Sequence, residues 1–175
     1  MPSRFRVPAG YALGVVVLFL ARPSVQSVAV GFAVAIAGEA IRIWASGHIE
    51  KTLRLATGGP YAHTRNPLYL GSLLIALGVA VASASIPVML AVAGYFAAFY
   101  PSVIKEEAAF LESKFPQEYQ DWARAVPVFL PRWSPSGPRR SRFRWATVAL
   151  NREWRTALAL PAAVLLLCLR RWIGL

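Results

Sequence analysis

Several residue types are scarce in this chain of 175 residues, and each scarcity excludes a class of protein. There is a single cysteine, Cys168, so the chain can form no internal disulfide. The two histidines lie far from it in sequence and cannot build a usual zinc site with it, so no metal site is expected. The sequence also lacks a Walker phosphate loop, a GxGxxG and a GxSxG, which removes the common nucleotide-binding and serine-hydrolase motifs.

Charge is also scarce, and one sign dominates. Only 15% of the residues are charged, and 19 lysines and arginines stand against 8 aspartates and glutamates, for a net charge of +11. Hydrophobic residues make up 57% of the chain, which is more than a soluble domain usually has. An apolar body with basic flanks is typical of an integral membrane protein, so the basic charge indicates membrane contact and not nucleic-acid binding.

The apolar runs predict an all-α fold, a polytopic membrane helix bundle of four to five transmembrane helices. The length suits a single domain over residues 1–175. A span needs roughly 20 apolar residues, and the expected spans are 7–21, 25–47, 68–85 and 86–104, with a fifth candidate at 156–169. This fifth segment is short and contains Pro161, so it either crosses the membrane or lies partly in its interface.

Lysine and arginine are concentrated on one side of this predicted bundle. They precede the first span, occupy the loop between the second and third, and follow the fourth, whereas the opposite side has Arg22 and an uncharged turn. Basic loops usually face the cytoplasm. The N-terminus, the third-span entrance and an interfacial helical region after the fourth span are therefore expected together at the cytoplasmic face.

The second predicted span contains two charged residues, Glu39 and Arg42. They are three residues apart and therefore lie on one helical face. Charges inside a span are costly and usually face the interior of the bundle. The pair is either a structural ion pair or part of the wall of a pocket.

The stretch at residues 58–71, GGPYAHTRNPLYLG, stands at the entrance to the third span. In structural terms, Asn66 is a favoured N-cap and Pro67 suits the first helical position. In functional terms, a helix N-terminus attracts a carboxylate, glycines let a ligand approach the backbone, and aromatic rings stack on an adenine or face a cation. These properties suit S-adenosylmethionine, which has a carboxylate, an adenine and a positive centre.

Residues 106–126 predict an amphipathic helix after the fourth span. Its apolar positions recur at spacings of four, four, three and four, interrupted in the backbone by Pro116. They are Leu111, Phe115, Tyr119, Trp122 and Val126. In structural terms it is an interfacial helix that lies on the membrane, and the functional interpretation adds that it covers a bound cofactor.

The order of these features resembles the membrane methyltransferases of the isoprenylcysteine carboxyl methyltransferase and phospholipid methyltransferase group. Their pattern GPYxxxRHPxYxG precedes two spans, a glutamate pair and a segment like LxxxFGxEYxxYxxxVPxxxP. This chain has GPYAHTRNPLYLG, two apolar runs and EEAAFLESKFPQEYQDWARAVPVFLP. The resemblance covers residues 53–131, the expected cofactor and catalytic region.

The resemblance implies that S-adenosylmethionine binds at the cytoplasmic side and that its methyl group goes to a lipid-borne or amphiphilic acceptor, an isoprenylcysteine-type carboxylate or a lipid amine. It assigns cofactor contacts to nine residues: Leu53, Arg54, Leu55, Ala56, Tyr61, Asn66, Pro67, Leu68 and Tyr69. Arg65 is expected to fix the loop or meet the cofactor carboxylate, and Glu107 to act as a base or position the substrate. Gly71 would allow close packing, and His48 is expected to be interfacial.

The chain departs from the family pattern at several positions. Asn66 stands where the pattern has histidine, so that position cannot carry a proton near neutral pH. Pro116 replaces a glycine and should start a new helical turn. Glu107, and not Glu106, matches the register of the family glutamate. Val103 occupies the place of an arginine that helps the isoprenylcysteine enzymes hold their substrate, which leaves the acceptor open.

An arginine-rich segment, residues 132–155, gives the alternative interpretation. It interleaves seven arginines with tryptophan and phenylalanine and has one glutamate, a composition that favours anionic lipid headgroups. The alternative function is a non-catalytic membrane protein of the same fold that binds anionic lipids through this segment.

Overall fold

The computed structural model describes residues 5–50, 54–137 and 141–173, and all regular structure in these ranges is helical. The helices are α1 (Arg6–Leu20), α2 (Val25–Ser46), a 3₁₀ helix (Gly59–Ala62), α3 (Pro67–Ser83), α4 (Ile86–Lys114), α5 (Pro116–Ala125), α6 (Trp145–Leu150) and α7 (Trp154–Ile173). The all-α prediction is confirmed for these residues.

Two of these helices, α2 and α4, are long and apolar enough to cross a membrane. Helices α1 and α3 are also apolar but shorter, with 15 and 17 residues. A membrane protein is therefore supported, whereas the expected number of four to five spans stays a prediction.

The fourth apolar helix is longer than the sequence suggested. The predicted span ended at Ile104, but α4 continues without a break to Lys114. It stops there because α5 begins at Pro116, whose fixed φ suits a first helical position and whose ring cannot continue the preceding helix. The new turn expected at Pro116 is confirmed, and the extension carries Glu107 beyond the apolar part of α4.

Glycines bring α2 and α3 into close contact. A Cβ added at Gly38 would lie 2.6 Å from the carbonyl oxygen of Gly71, and one added at Gly78 would lie 2.5 Å from that of Gly31. These separations are too short for any side chain, so the two backbones touch directly, as is common between membrane helices. The close packing expected at Gly71 is present.

Helix α7 runs along α2 from one end to the other. Glu153, just before α7, bonds to Arg42 near the C-terminal end of α2. At the other end, the Arg170 guanidinium donates to the carbonyl oxygen of Ala21, shortly before α2 begins. The two helices are therefore antiparallel, and the second contact places Arg170 at the end of the bundle that already has Arg22.

Two apolar clusters form the interior of the described part of the chain. One lies at the end of the bundle where α3 turns into α4, and it includes Val17, Val88, Val92 and Leu167. The other lies at the opposite end, where α5 meets the residues between α2 and α3, and it includes Leu55, Tyr61, Tyr119, Trp122 and Val126. The second cluster forms the floor of the candidate site.

Candidate active site

The motif loop, residues 58–66, is held in place by the chain that contains and follows α5. The indole Nε1 of Trp122 donates to the carbonyl oxygen of Tyr61 at 2.9 Å. The backbone N–H of Arg65 donates to the carbonyl oxygen of Pro127, also at 2.9 Å. Further backbone hydrogen bonds join Arg132 to His63 and Ser136 to Ala62. The two halves of the sequence pattern thus form one structural unit.

The apolar face predicted for residues 106–126 packs on the protein. Tyr119, Trp122 and Val126 are buried against Leu55 and Tyr61. The apolar face is therefore covered by protein at these three residues. The position of the helix at the membrane surface and its role as a cover over the cofactor stay predictions.

Asn66 precedes α3 as predicted, but its side chain does not cap the helix. Its amide Nδ2 donates instead to the carbonyl oxygen of Val128, at 2.8 Å. Pro67 does occupy the first helical position. Asn66 therefore ties the entrance of α3 to the chain after α5, and the first N–H groups of α3 are not occupied by this side chain.

His48 is buried within the protein, with 6% of its surface exposed, and its expected position at the membrane interface stays a prediction. Its Nδ1 lies 2.9 Å from the carbonyl oxygen of Trp44, and its ring lies directly under Gly59. Gly59 has a φ of +57°, which favours glycine, and a Cβ there would overlap the imidazole. His48 thus supports the motif loop from below.

A first cavity of about 340 Å³ lies between the motif loop, residues 54–56 and the junction of α4 and α5. Its wall includes Glu107 and Trp122. Six of the predicted cofactor contacts also line it: Arg54, Leu55, Ala56, Tyr61, Asn66 and Leu68. A seventh, Leu53, lies outside the described residues.

A second cavity of about 360 Å³ adjoins the first and shares Glu107 with it. Its wall contains Pro67 and Tyr69, which are the remaining predicted cofactor contacts, together with Arg6, Arg42, Ser72 and Tyr100. The Tyr69 hydroxyl donates to Oε2 of Glu107 at 2.7 Å. Glu107 therefore lies in the walls of both cavities, whereas Glu106 lies in neither.

Arg65 stands where these cavities meet. It lines both of them and also a third, largely apolar cavity of about 570 Å³. One guanidinium nitrogen is 3.4 Å from the Tyr119 hydroxyl, while Nε is buried and has no hydrogen-bond partner in the described part of the chain. A buried donor without a partner is costly, so this geometry favours an anionic ligand beside Arg65.

Tyr61 forms an uncharged part of the wall. Burial raises the pKa of its hydroxyl well above the ordinary value, and the nearby Glu107 carboxylate raises this pKa further. A tyrosine with a raised pKa stays neutral throughout the physiological range. Its ring therefore offers an apolar surface, and its carbonyl oxygen already accepts a hydrogen bond from the Trp122 indole.

Sequence reasoning missed Glu153. The Nε of Arg42 donates to Oε1 of Glu153 at 2.6 Å, whereas the closest approach to the expected partner Glu39 is 3.9 Å. Arg42 also reaches Ser72 and lines the second cavity, so the pocket-wall interpretation applies to it. Residue 153 is 111 positions away in sequence, and no local pattern connects the two.

The apolar helices indicate a membrane protein, and the cavities form a candidate ligand site at one end of its helix bundle. The chain belongs to the phospholipid methyltransferase family, because the model of that family matches residues 9–118, more than half of its length. The predicted family is confirmed. Arg6, Trp122 and Glu153 lie outside the matched range although they help to build the site.

Two curated relatives are metal-resistance proteins by description. The chain is 42% identical over 95 residues to a cobalt-zinc-cadmium resistance protein of Cupriavidus metallidurans. It is 38% identical over 95 residues to a nickel-cobalt-cadmium resistance protein of Alcaligenes xylosoxydans xylosoxydans. Each match covers 53% of this chain and 44% of the relative, so the chain spans less than half the length of these proteins. No solved structure matches the chain.

Proposed function

We propose that this protein transfers a methyl group from S-adenosylmethionine to a lipid-borne or amphiphilic acceptor at the cytoplasmic face of a membrane. One observation carries the proposal. Tyr61, Arg65, Asn66 and Tyr69 from the motif loop and α3 meet Glu107 of α4 at two adjoining cavities. Membership of the phospholipid methyltransferase family supports the same chemistry.

The residues present fit this cofactor. The first cavity has a volume within the roughly 300–1,000 Å³ usual for small-molecule sites. Tyr61 and Leu68 offer apolar surface to an adenosine, and the unpaired Nε of Arg65 suits the amino-acid carboxylate. When bound, S-adenosylmethionine would supply an electrophilic methyl group.

The chain itself has to align the acceptor and keep water out, because methyl transfer is an in-line displacement. Trp122 and the apolar face of α5 close the first cavity on one side. Glu107 is oriented by Tyr69 between the two cavities. It acts as a base for an amine acceptor or positions a carboxylate acceptor, and both roles need the same placement.

The proposed orientation rests on the numbers of basic residues at the two ends of the bundle. Among the described residues, the end opposite the site carries Arg22, Arg170 and Arg171. The site end carries Arg54, Arg65, Lys105, Lys114 and the arginines after α5. The larger basic share supports a cytoplasmic site with α1 to α4 and α7 as the membrane bundle.

A second candidate comes from the relatives, whose descriptions concern resistance to metals. In the parts of the chain that the structure describes, no three His, Cys, Asp or Glu side chains lie close enough to hold a metal ion. We propose that a role of this protein in metal resistance would be indirect. It would come from the membrane component that the protein methylates.

The alternative of a non-catalytic lipid-binding protein draws less support from the structure. Some of the arginines of residues 132–155 hold the site together: Arg132 donates to the Ala125 carbonyl oxygen, and Arg144 lies 3.6 Å from Glu50. Methyl transfer from labelled S-adenosylmethionine to a lipid extract, with identification of the product, tests the proposal. Calorimetry that detects no cofactor binding to purified protein would instead support the lipid-binding alternative.

A further inference from the structure

We propose that a fourth cavity, separate from the candidate active site, binds one anionic phospholipid of the surrounding membrane. This cavity has a volume of about 320 Å³ and lies between α2, the motif loop, the start of α3 and residues 131–133. It shares no residue with the first and third cavities and only Pro67 with the second. The lipid is therefore distinct from the methyl acceptor, and its binding does not depend on the proposed function.

The motif loop contributes different residues to this cavity and to the candidate active site. Three of its residues line the first and second cavities, and three others line the fourth: Tyr61, Arg65 and Asn66 in the former group, Pro60, His63 and Thr64 in the latter. A ligand in the fourth cavity therefore contacts a face of the loop that the proposed cofactor does not use.

Hydrogen bonds within the chain hold the wall of the fourth cavity in shape. His63 and Arg132 are joined twice. The backbone N–H of Arg132 donates to the carbonyl oxygen of His63 at 3.0 Å, and Nδ1 of His63 lies 2.8 Å from the carbonyl oxygen of Arg132. The Thr64 hydroxyl donates to the carbonyl oxygen of Phe129 at 2.8 Å. A wall that is already ordered loses little conformational entropy when a ligand binds, which favours binding.

The apolar residues of the wall lie where an apolar helix ends, which suits an acyl chain. Ile41 and Trp44 lie near the C-terminal end of α2, which is long and apolar enough to cross a membrane, and Leu70 lies in the first turn of α3. Trp44 is half exposed and Trp133 is fully exposed. Tryptophan is enriched at membrane interfaces, where its ring contacts both acyl chains and headgroups.

The charge in the wall favours an anionic headgroup. In the wall as the structure describes it, Arg132 is the only lysine, arginine, aspartate or glutamate. One of its terminal nitrogens donates to the carbonyl oxygen of Ala125 at 2.8 Å, which orders the guanidinium, and the residue is exposed. A guanidinium has five N–H donors in a planar fork that matches a phosphate.

The test counts the lipids bound to each chain by native mass spectrometry, with the full chain freed of lipid in neutral maltoside micelles and without cofactor. The probes are dioleoyl phosphatidylglycerol, dioleoyl phosphatidylcholine and glycerol phosphate. We expect phosphatidylglycerol to bind about fivefold more tightly than phosphatidylcholine, the effect of one basic residue beside a lipid surface. Glycerol phosphate has the phosphate but no acyl chain, and it should bind far more weakly.

Variants locate the binding. Leu70→Trp fills the cavity and should remove the bound lipid, whereas Leu77→Trp is the matched control, at an exposed position of α3 outside all four cavities. Trp133→Ala changes a fully exposed residue, so it should keep the fold and weaken binding severalfold. Arg132→Gln keeps a hydrogen-bond donor but loses the charge, so the two phospholipids should bind nearly equally. Arg124→Gln, at a residue that is 76% exposed on α5, should keep the preference.

Several results would overturn the inference. They are wild-type binding in both Leu70→Trp and Trp133→Ala, equal losses in Leu70→Trp and Leu77→Trp, no preference of the wild type for phosphatidylglycerol, or glycerol phosphate binding as tightly as phosphatidylglycerol. A wild-type dimer that Leu70→Trp or Trp133→Ala separates into monomers would assign the cavity to a second copy of the chain instead. Because no cofactor is present, failure of the proposed function would leave all of these measurements unchanged.

Discussion

Tyr69 and Glu107 come from different helices and share a hydrogen bond of 2.7 Å at the boundary between two cavities. Neighbouring residues on a helix point about 100° apart, so Glu106 and Glu107 cannot both face that boundary. The family register selected Glu107, and the structure places Glu107 at the cavities. Its catalytic role stays a prediction with a direct test.

Replacing Glu107 by glutamine should leave the fold and cofactor binding intact but remove most methyl transfer. A base or positioning group typically contributes about 10²–10⁴-fold in rate. Initial rates with labelled S-adenosylmethionine measure the loss, and calorimetry checks cofactor affinity. Glu106→Gln is the matched control and should lose much less. Equal losses in the two variants would show that the register is wrong.

Tyr69 is expected to act in two ways, through its hydroxyl and through its ring. Tyr69→Phe removes only the bond to Glu107, so the transfer rate should fall while cofactor affinity is kept. Tyr69→Ala should also weaken cofactor binding by about 1–3 kcal/mol, the usual cost of losing a packed aromatic contact. Tyr11→Phe, at an exposed position on α1, should change neither. Unchanged affinity in folded Tyr69→Ala would remove the ring from the site.

Individual residues show what a sequence can and cannot predict. Pro67 and Pro116 were placed correctly because proline imposes a local backbone angle. The partners of Asn66 and Arg42 were not predicted, because they lie 62 and 111 residues away and neither bond follows from local spacing. Buried polar side chains find their partners through tertiary packing, which a periodic pattern does not report.

At the scale of helices, the contact between α2 and α3 depends on glycine. A Cβ at residue 38 would lie 2.6 Å from the Gly71 carbonyl oxygen, whereas one at residue 94 on α4 would meet nothing within 4 Å. The site depends on this contact because α3 carries Tyr69 and α2 carries Arg42. Alanine substitutions at residues 38 and 94 therefore compare a crowded position on α2 with an open position on α4.

Gly38→Ala should destabilise the protein by about 1–3 kcal/mol, because the two backbones must separate to admit a methyl group. Gly94→Ala should be neutral or stabilising by up to about 1 kcal/mol, because alanine is the better helix former and has room. Thermal unfolding in a neutral detergent gives both values. A Gly38→Ala protein as stable as Gly94→Ala would mean that the helices are not this close.

Helix lengths were predicted less well than helix order. The hydropathy of the fourth apolar run falls at the charged residues near position 105, and this led to an end at Ile104. The backbone continues to Lys114 because Ala, Leu, Glu and Lys all favour helix. The length of an apolar run indicates where a helix can contact lipid. The helix propensity of the residues and the position of the next proline decide where the helix ends.

At the scale of the whole molecule, orientation is open to a labelling experiment. In a Cys168→Ser background, single cysteines replace Ile86 at the end opposite the site and Ser134 at the site end; both positions are exposed. An impermeant thiol reagent added to intact cells should label position 86 and not position 134. The reverse pattern would place the candidate site outside the cell and contradict the proposed orientation.

The contact between Arg42 and Glu153 also sets an order of events during biosynthesis. Ribosomes make α2 long before α7, so Arg42 enters the membrane before its carboxylate partner exists. Until Glu153 is synthesised, the Arg42 guanidinium lacks its main counter-ion. The nascent helices around Arg42 can therefore still rearrange. Synthesis of Glu153 and α7 would therefore complete the packing around Arg42 in the wall of the second cavity, and chains stalled before residue 153 would lack this contact.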